Sequence, residues 1–218
     1  HAPSPVVAGA SSALGRRQGH GDRVMCVAYS PDGNTLFVAN NLGDSLGIIE
    51  DLRGARKLVR VDLRRKDRDE HFVYPYSVVV VHERGMVIKA YVSCWNDSSV
   101  AVVYPGGSPQ PASRISVDRH PTVMLLNPEQ TRLYVANSNN DSVSVIDTRT
   151  NQEIERISVR LSEGIPSGNS PEGLALHRDI HAEAPQRGYC IGTIQVGYSR
   201  GHRAHGGDGR GAGALPGL

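Results

Sequence analysis

One phrase occurs three times in this chain, and the repetition constrains its fold more than any single residue does. Leu36-Phe37-Val38-Ala39-Asn40, Ala90-Tyr91-Val92-Ser93-Cys94 and Leu133-Tyr134-Val135-Ala136-Asn137 each lead through a polar Asp/Ser turn into a second apolar run. Those runs are Ser45-Leu46-Gly47-Ile48-Ile49, Ser99-Val100-Ala101-Val102-Val103 and Ser142-Val143-Ser144-Val145-Ile146. A residue present in every repeat serves to build the repeat, since one reaction would not require it three times.

Aligned on Val38, Val92 and Val135, the repeats are spaced by 54 and 43 residues. The second spacing matches one four-stranded propeller blade, about 40–45 residues. The first is longer because of the charged run from Arg64 to Glu70 and the extension from His82 to Lys89, both expected as loops that leave the blade intact. In the third repeat, Pro121 to Leu126 is a nearly continuous apolar run, as expected of an inner strand covered on both faces. Asn127-Pro128-Glu129-Gln130 is turn chemistry, Arg132 to Ala136 is rich in β-favouring residues, Ser142 to Ile146 alternates, and Ile154 to Val159 supplies a fourth strand. The first repeat reads likewise over Val24 to Tyr29, Thr35 to Ala39, Leu46 to Ile49 and Leu58 to Leu63, and the second begins at Tyr74-Pro75-Tyr76 with Ser77 to Val81.

A fourth repeat opens at Ser170-Pro171-Glu172-Gly173-Leu174-Ala175-Leu176, after which the pattern is expected to stop. Tyr189 to Tyr198 carries only a poor strand pattern, and the Gly/Arg/His-rich end is expected to have low order because it offers too little apolar surface to offset ordering entropy. The expected fold is all-β: a β-propeller of four-stranded antiparallel blades, incomplete at about three and a half repeats. Residues 1–21 are expected to be an N-terminal extension or partial blade, 22–181 the repeats and 182–218 the tail, with a truncated or frame-disrupted end.

Composition narrows the function. A 218-residue chain with 39% hydrophobic content can bury a substantial core, and its formal net charge is only +2. Basic residues alternate with acidic ones, as in Arg64-Arg65-Lys66-Asp67-Arg68-Asp69-Glu70, so no phosphate-binding face is formed and no nucleic acid is expected as partner. No run approaches the roughly 18 apolar residues of a membrane span. The cysteines, Cys26, Cys94 and Cys190, are widely spaced and suggest neither a disulfide framework nor a zinc site. His1 to Gly15 has no basic region followed by an apolar one, so it does not read as a signal peptide.

The units Ser30-Pro31-Asp32-Gly33 with Leu36 to Asn40, and Leu133 to Asn137 with Ser142 to Thr148, resemble YVTN-type β-propeller repeats of the YncE-like family over about residues 22 to 178. Val73-Tyr74-Pro75-Tyr76 and Tyr91 to Val100 are most similar to bacterial propellers that precede an alkaline-phosphatase-like phosphoesterase domain. The resemblance implies a closed ring of about seven blades, a periplasmic or secreted location, and in many members no assigned reaction.

In a propeller, the loop after the second strand and the link into the next blade share one face. That face gathers Asn40 to Asp44, Cys94 to Ser98, Asn137 to Asp141, Arg64 to Phe72, Asp118 to His120 and Leu161 to Asn169. Its Asp/Asn loops are explained by turn chemistry, and no metal or other cofactor is expected. Residues that break the repeat are better candidates. Trp95, the only tryptophan, stands where other repeats carry Asn41 and Ser138, and either stacks on a ligand or packs between blades. His71, Tyr74, Tyr76, Arg119 and His120 lie where the chain runs into inner strands and complete the candidate ligand-binding set. His177 and His181 are four apart but lie in a strand-like context, so the spacing does not make a helical metal pair. Asn96-Asp97-Ser98 and Asn140-Asp141-Ser142 match the glycosylation sequon, a pattern the repeat itself explains.

No GxSxG, HExxH or P-loop motif is present, so no catalytic residue is assigned. The expected function is a non-catalytic repeat module binding a protein or small-molecule ligand on its loop face. The alternative is the propeller portion of a bacterial phosphoesterase or a lactonase-like enzyme. Exposed blade edges also allow self-association of half-propellers.

Overall fold

A computed structural model describes residues 23–67, 72–108, 110–160, 170–178 and 189–194, with backbone alone for 177–178 and 189–194. β1 (Val24–Tyr29), β2 (Leu36–Asn40), β3 (Ser45–Glu50) and β4 (Lys57–Asp62) form a four-stranded antiparallel sheet in chain order. β5 (Pro75–Glu83), β6 (Met86–Cys94), β7 (Ser99–Val103) and β8 (Ser113–Ser116) form the second blade. β9 (Pro121–Leu126), β10 (Arg132–Asn137), β11 (Ser142–Asp147) and β12 (Gln152–Ser158) form the third. β13 (Gly173–Arg178) and β14 (Tyr189–Ile194) pair as a fourth, two-stranded sheet. The first strands β1, β5, β9 and β13 stand side by side, as the inner strands of successive propeller blades do.

Three elements depart from the sequence-based expectations. The fourth repeat does have a second strand: β14 pairs with β13 from Gly173↔Ile194 to Arg178↔Tyr189. Its Tyr-Cys-Ile-Gly-Thr-Ile sequence lacks the aliphatic phrase of the other second strands, so the sequence pattern marked it only weakly. The extension from His82 to Lys89 is no inter-repeat loop. It lengthens the β5–β6 hairpin, which closes over Arg84 and Gly85, both at positive φ (49° and 82°), a geometry suited to a two-residue turn. The inner strand β9 is buried at Pro121, Thr122 and Met124 but only half-buried at Val123, Leu125 and Leu126. Residues 1–21, expected as an extension or partial blade, lie outside the described residues, as does the expected tail apart from 189–194.

The core lies between the sheets because period-two alternation sends successive side chains of each strand to opposite faces. Phe37, Ala39, Leu46, Ile48 and Val61 of blade 1 meet Val78, Ala90, Val92, Ala101 and Val103 of blade 2. The intervening residues of blade 2, Val81, Tyr91, Val100, Val102 and Ile115, face the other way and meet Met124, Leu133, Val135 and Ile146 of blade 3. Blade 3 then turns Tyr134, Val143 and Val145 toward Leu174 and Leu176 of β13. Each fully buried aliphatic or aromatic side chain contributes about 1.5–3 kcal/mol through loss of apolar surface to water.

Polar struts pin these interfaces at the end opposite the β2–β3 loops. Lys89 Nζ donates to Thr148 O and, at 3.0 Å, to Asn151 Oδ1. Tyr91 Oη donates to Asn151 Oδ1 at 2.5 Å. Burial lowers the Lys89 pKa and raises that of Tyr91. On the β5–β6 extension, His82 N donates to Gln130 Oε1 at 2.8 Å while Gln130 Nε2 donates to His82 O at 3.2 Å.

Leu133→Ala, at the blade 2/3 interface, is expected to lower the unfolding free energy by about 2–5 kcal/mol in urea titration. Met86→Ser, at a position 70% exposed on the hairpin, should change it by no more than about 0.5 kcal/mol. Equal losses in the two variants would contradict a core placed between the sheets.

Candidate functional site

The β2–β3, β6–β7 and β10–β11 loops all end in a left-handed residue, Asp44 (φ 45°), Ser98 (φ 49°) and Asp141 (φ 50°). The carbonyls of these residues accept from Leu63 N at 2.8 Å, Val117 N at 3.0 Å and Val159 N at 2.7 Å, each at the exit of its blade. The loops also hold the residues that precede the inner strands: Asn41 N donates to Arg23 O at 2.7 Å, Trp95 N to Tyr74 O at 3.1 Å and Ser138 N to His120 O at 3.0 Å. Each blade therefore ties its inner and outer ends to one loop, and the segments that run into blades 2 and 3 arrive at defined positions.

Two of those arriving residues are aromatic and strained. Tyr74 (φ 48°) and His120 (φ 54°) both precede prolines and occupy the left-handed region, which costs a residue with a side chain about 1–3 kcal/mol. The strain is held by many bonds. Asp44 Oδ1 accepts from Val73 N at 2.9 Å and Tyr74 N at 3.0 Å, Asn96 Nδ2 donates to Phe72 O at 2.8 Å, and Asn41 Nδ2 donates to Pro75 O at 3.1 Å. Around His120, Ser138 Oγ donates to its carbonyl at 3.2 Å, while Ser93 Oγ donates to Thr122 O at 2.7 Å across the blade boundary.

The result is a line of rings across the junction of blades 2 and 3. Phe72 stacks on Tyr74 with centroids 5.8 Å apart at 13°, Tyr74 meets Trp95 at 6.4 Å and 59°, and Trp95 stacks on His120 at 3.9 Å and 17°. Trp95 lies on a short 3-10 turn, Trp95–Asp97, and is half-buried, as is His120, whereas Phe72 is 42% exposed. The Nδ1 atom of His120 is buried with no hydrogen-bond partner among the described residues. Arg119 is exposed beside it. Tyr76 lies further along β5, where burial raises its pKa, with the charges of Glu172 and Arg23 in reach.

Of the residues singled out by sequence, Tyr74, Trp95 and His120 come together, with Arg119 adjacent in the chain. Tyr76 does not join the ring line, and His71 lies outside the described residues. Trp95 does pack between blades, on His120. Sequence reasoning missed Phe72, although an aromatic two residues before Tyr74 in a link segment was a usable signal. It also missed Asp44 as a positioning residue, since its role depends on backbone N–H groups that no side-chain pattern displays.

Among the described residues no group of three or more His, Cys, Asp or Glu side chains is placed to hold a metal, and no helix is long and apolar enough to cross a membrane. Cys94 is fully buried, and burial pushes its thiol up to about 11 despite the Arg114 guanidinium nearby.

Fold and loop face together define a segment of a β-propeller with an aromatic line at the mouth of one blade junction. No family model and no curated protein matches the chain. Its structure is similar to that of hydrazine synthase from Kuenenia stuttgartiensis, with a TM-score of 0.55 and 24% identity over 81% of this chain and 49% of that one. It is also similar to virginiamycin B lyase from Staphylococcus aureus, with a TM-score of 0.54 and 16% identity over 72% and 47% of the two chains. A protein from Lactobacillus plantarum matches with a TM-score of 0.52 and 22% identity over 65% and 42%. The chain thus spans less than half the length of each of these structures, and the likeness is one of fold.

Two outcomes follow from the local chemistry. Burial raises the Asp44 pKa above its ordinary 3.8, outweighing the pull of the Tyr74 and Val73 N–H groups, so ionised Asp44 costs stability once pH rises past the carboxylate range. Asp44→Asn keeps an acceptor for both N–H groups and should equal or exceed the native stability at pH 7, an advantage that fades as pH falls to about 3.8. Asp44→Ala leaves both donors unpaired and should lose about 2–3 kcal/mol. Melts of both variants across pH check this. Burial both shields Cys94 and keeps its thiol protonated, so its peptide should stay unmodified when the native protein meets iodoacetamide at pH 8 and become labelled in urea.

Proposed function

We propose that this chain is a non-catalytic propeller module of the YVTN, YncE-like type that binds a protein or small-molecule ligand on its loop face. The aromatic line of Phe72, Tyr74, Trp95 and His120 is its recognition surface, and its place of work is outside the cytoplasm, periplasmic or secreted. The observation that carries this reading is the buried Nδ1 of His120 beneath Trp95, without a hydrogen-bond partner among the described residues, at the end of a strained and heavily braced segment. An unsatisfied buried nitrogen costs about 1–3 kcal/mol and is relieved when a ligand group reaches it. Rings offer apolar faces, and the imidazole offers one directional hydrogen bond, which suits a ligand with a flat or C–H-rich face and one polar substituent. The absence of a nucleophile–base pair or recognisable catalytic motif in the sequence favours binding over turnover. The location follows the family resemblance of the repeat phrases.

The test is direct because Trp95 is the sole tryptophan. Titration of the protein with methyl glycosides, lactones and phosphoesters should give a saturable change in its fluorescence with one class. His120→Ala should weaken that response about tenfold, the equivalent of about 1.4 kcal/mol. No response with any class, together with unaltered melting, defeats the proposal; conversion of the lactone or phosphoester would defeat its non-catalytic part.

A further inference from the structure

Each complete blade carries an arginine at the same place on its outer strand. Arg60 lies opposite Gly47, Arg114 opposite Ala101 and Arg156 opposite Ser144. Arg60 Nη2 donates to Gly43 O at 2.8 Å within its own blade. Arg114 closes the seam between blades 1 and 2. Its Nη2 donates to Leu63 O at the exit of blade 1, and its Nη1 lies 3.1 Å from Asp97 Oδ2, 3.4 Å from Ser99 Oγ and 3.6 Å from Cys94 Sγ. Arg65 from the exit of blade 1 adds a second guanidinium 3.7 Å from Asp97 Oδ1. The blade 1/2 seam thus contains a buried carboxylate clamped by two arginines and a serine.

At the next seam the clamp recurs without that carboxylate. By strand register and exit bonds, Arg156 stands for Arg114, Ser142 for Ser99 and Arg119 for Arg65, but Asn140 stands for Asp97. Arg156 turns outward instead, donating to Glu153 at 2.9 and 2.7 Å and lying 3.6 Å from Asp118. Asn137, in the place of Cys94, keeps a buried Oδ1 without a hydrogen-bond partner among the described residues, as Asn40 does at the same position of blade 1. What remains is an open cleft of about 380 Å³ lined by Asp118, Asn140, Ser142, Arg156, Ser158 and Arg160. Asp118 leans into it, accepting from Ser142 Oγ at 2.9 Å, from Arg119 N at 3.0 Å and from Asn140 Nδ2. Among the described residues the Arg160 side chain lies 3.9 Å from the Asp141 carboxylate.

We infer that this cleft binds a carboxylate, which Arg156 and Arg160 grip with the hydroxyls of Ser142 and Ser158, in competition with the resident carboxylate of Asp118. The blade 1/2 seam shows the chemistry in its filled form: one guanidinium hydrogen bond, a serine hydroxyl and a second guanidinium 3.7 Å away around one carboxylate, with charge strengthening the bond that is made. Asp118 makes the site weak when unaided, because any incoming carboxylate must displace it or share the site with a like charge.

Titration of the ¹⁵N-labelled full chain with succinate, followed by amide shifts, tests the inference. Saturable shifts are expected at Asn140, Ser142 and Ser158, in the millimolar range, and absent with dimethyl succinate or with sodium chloride at matched ionic strength. Asp118→Asn retains the acceptor for Ser142 and Arg119 and should tighten binding at least about fivefold by removing the competing charge. Arg156→Gln should abolish the shifts, and Arg160→Gln provides the same reading if the first variant loses its dispersed spectrum. An acetylated glutamyl amide distinguishes the source: binding of that probe in place of succinate assigns the carboxylate to a polypeptide. Absence of saturable shifts with both probes, or an Asp118→Asn variant that binds no tighter, overturns the inference.

Discussion

Everything in this molecule depends on sheets that are covered on both faces. A strand alternates its side chains between two sides, and in blade 2 both sides are apolar: Ala90, Val92, Ala101 and Val103 go to blade 1, and Tyr91, Val100 and Val102 go to blade 3. The two sides are unlike in size. Small side chains let blade 1 bring Phe37 and Ile48 close, while Tyr91 fills the space opposite Leu133 and Ile146. A blade therefore has no core of its own, and each junction between blades is both the stabilising contact and the place where the chain has room for a site.

The loop face follows from the same constraint. Sheets held at fixed spacing leave their connecting segments no freedom at the blade exits, where Leu63, Val117 and Val159 are bonded to the preceding loop carbonyls. The segment that runs into the next inner strand must then turn sharply, and in blades 2 and 3 it does so at Tyr74 and His120 in left-handed geometry ahead of proline. Asp44 supplies the counterweight for the first of these turns by accepting two backbone N–H groups from an interior position, a bond good enough to keep a carboxylate where burial disfavours its charge. The ring line is a consequence: Tyr74 and His120 arrive on either side of Trp95 because backbone bonds from Trp95 and Ser138 fix them there.

Much of this was legible in the sequence, and the parts that were not have physical reasons. Strand phrases with period-two alternation gave the boundaries of β1 and β9 as observed, and the equivalence of Trp95 with Asn41 and Ser138 holds in the backbone bonds. The His82 to Lys89 segment was misplaced because a longer hairpin and a loop insertion lengthen a repeat equally, and only the Arg84-Gly85 turn distinguishes them. β14 was weakly marked because it carries Gly192 and Thr193 where the third repeat carries Tyr134 and Val135. The stacking of Trp95 on His120 could not be read because it joins residues of different repeats through the left-handed backbone of His120, a conformation unusual for a residue that precedes proline. The arginine at each outer strand was visible as Arg114-Ile115-Ser116-Val117 and Arg156-Ile157-Ser158-Val159, yet its partners differ from blade to blade in a way that sequence identity conceals.

Those differing partners show what a repeat protein offers that a single-copy fold does not: one blade serves as the control for the next. The same arginine is turned inward in blade 2, where Asp97 supplies a buried countercharge and Cys94 a soft acceptor, and outward in blade 3, where Asn140 supplies no charge and Glu153 captures the guanidinium. At the blade 2/3 seam the countercharge comes from another position: Asp118 accepts from the Ser142 hydroxyl and the Asn140 amide and lies 3.6 Å from the guanidinium, whose hydrogen bonds go to Glu153. Three exchanges together distinguish this seam from the preceding one: Asn140 for Asp97, Asn137 for Cys94, and Asp118 for Arg64 on the exit segment.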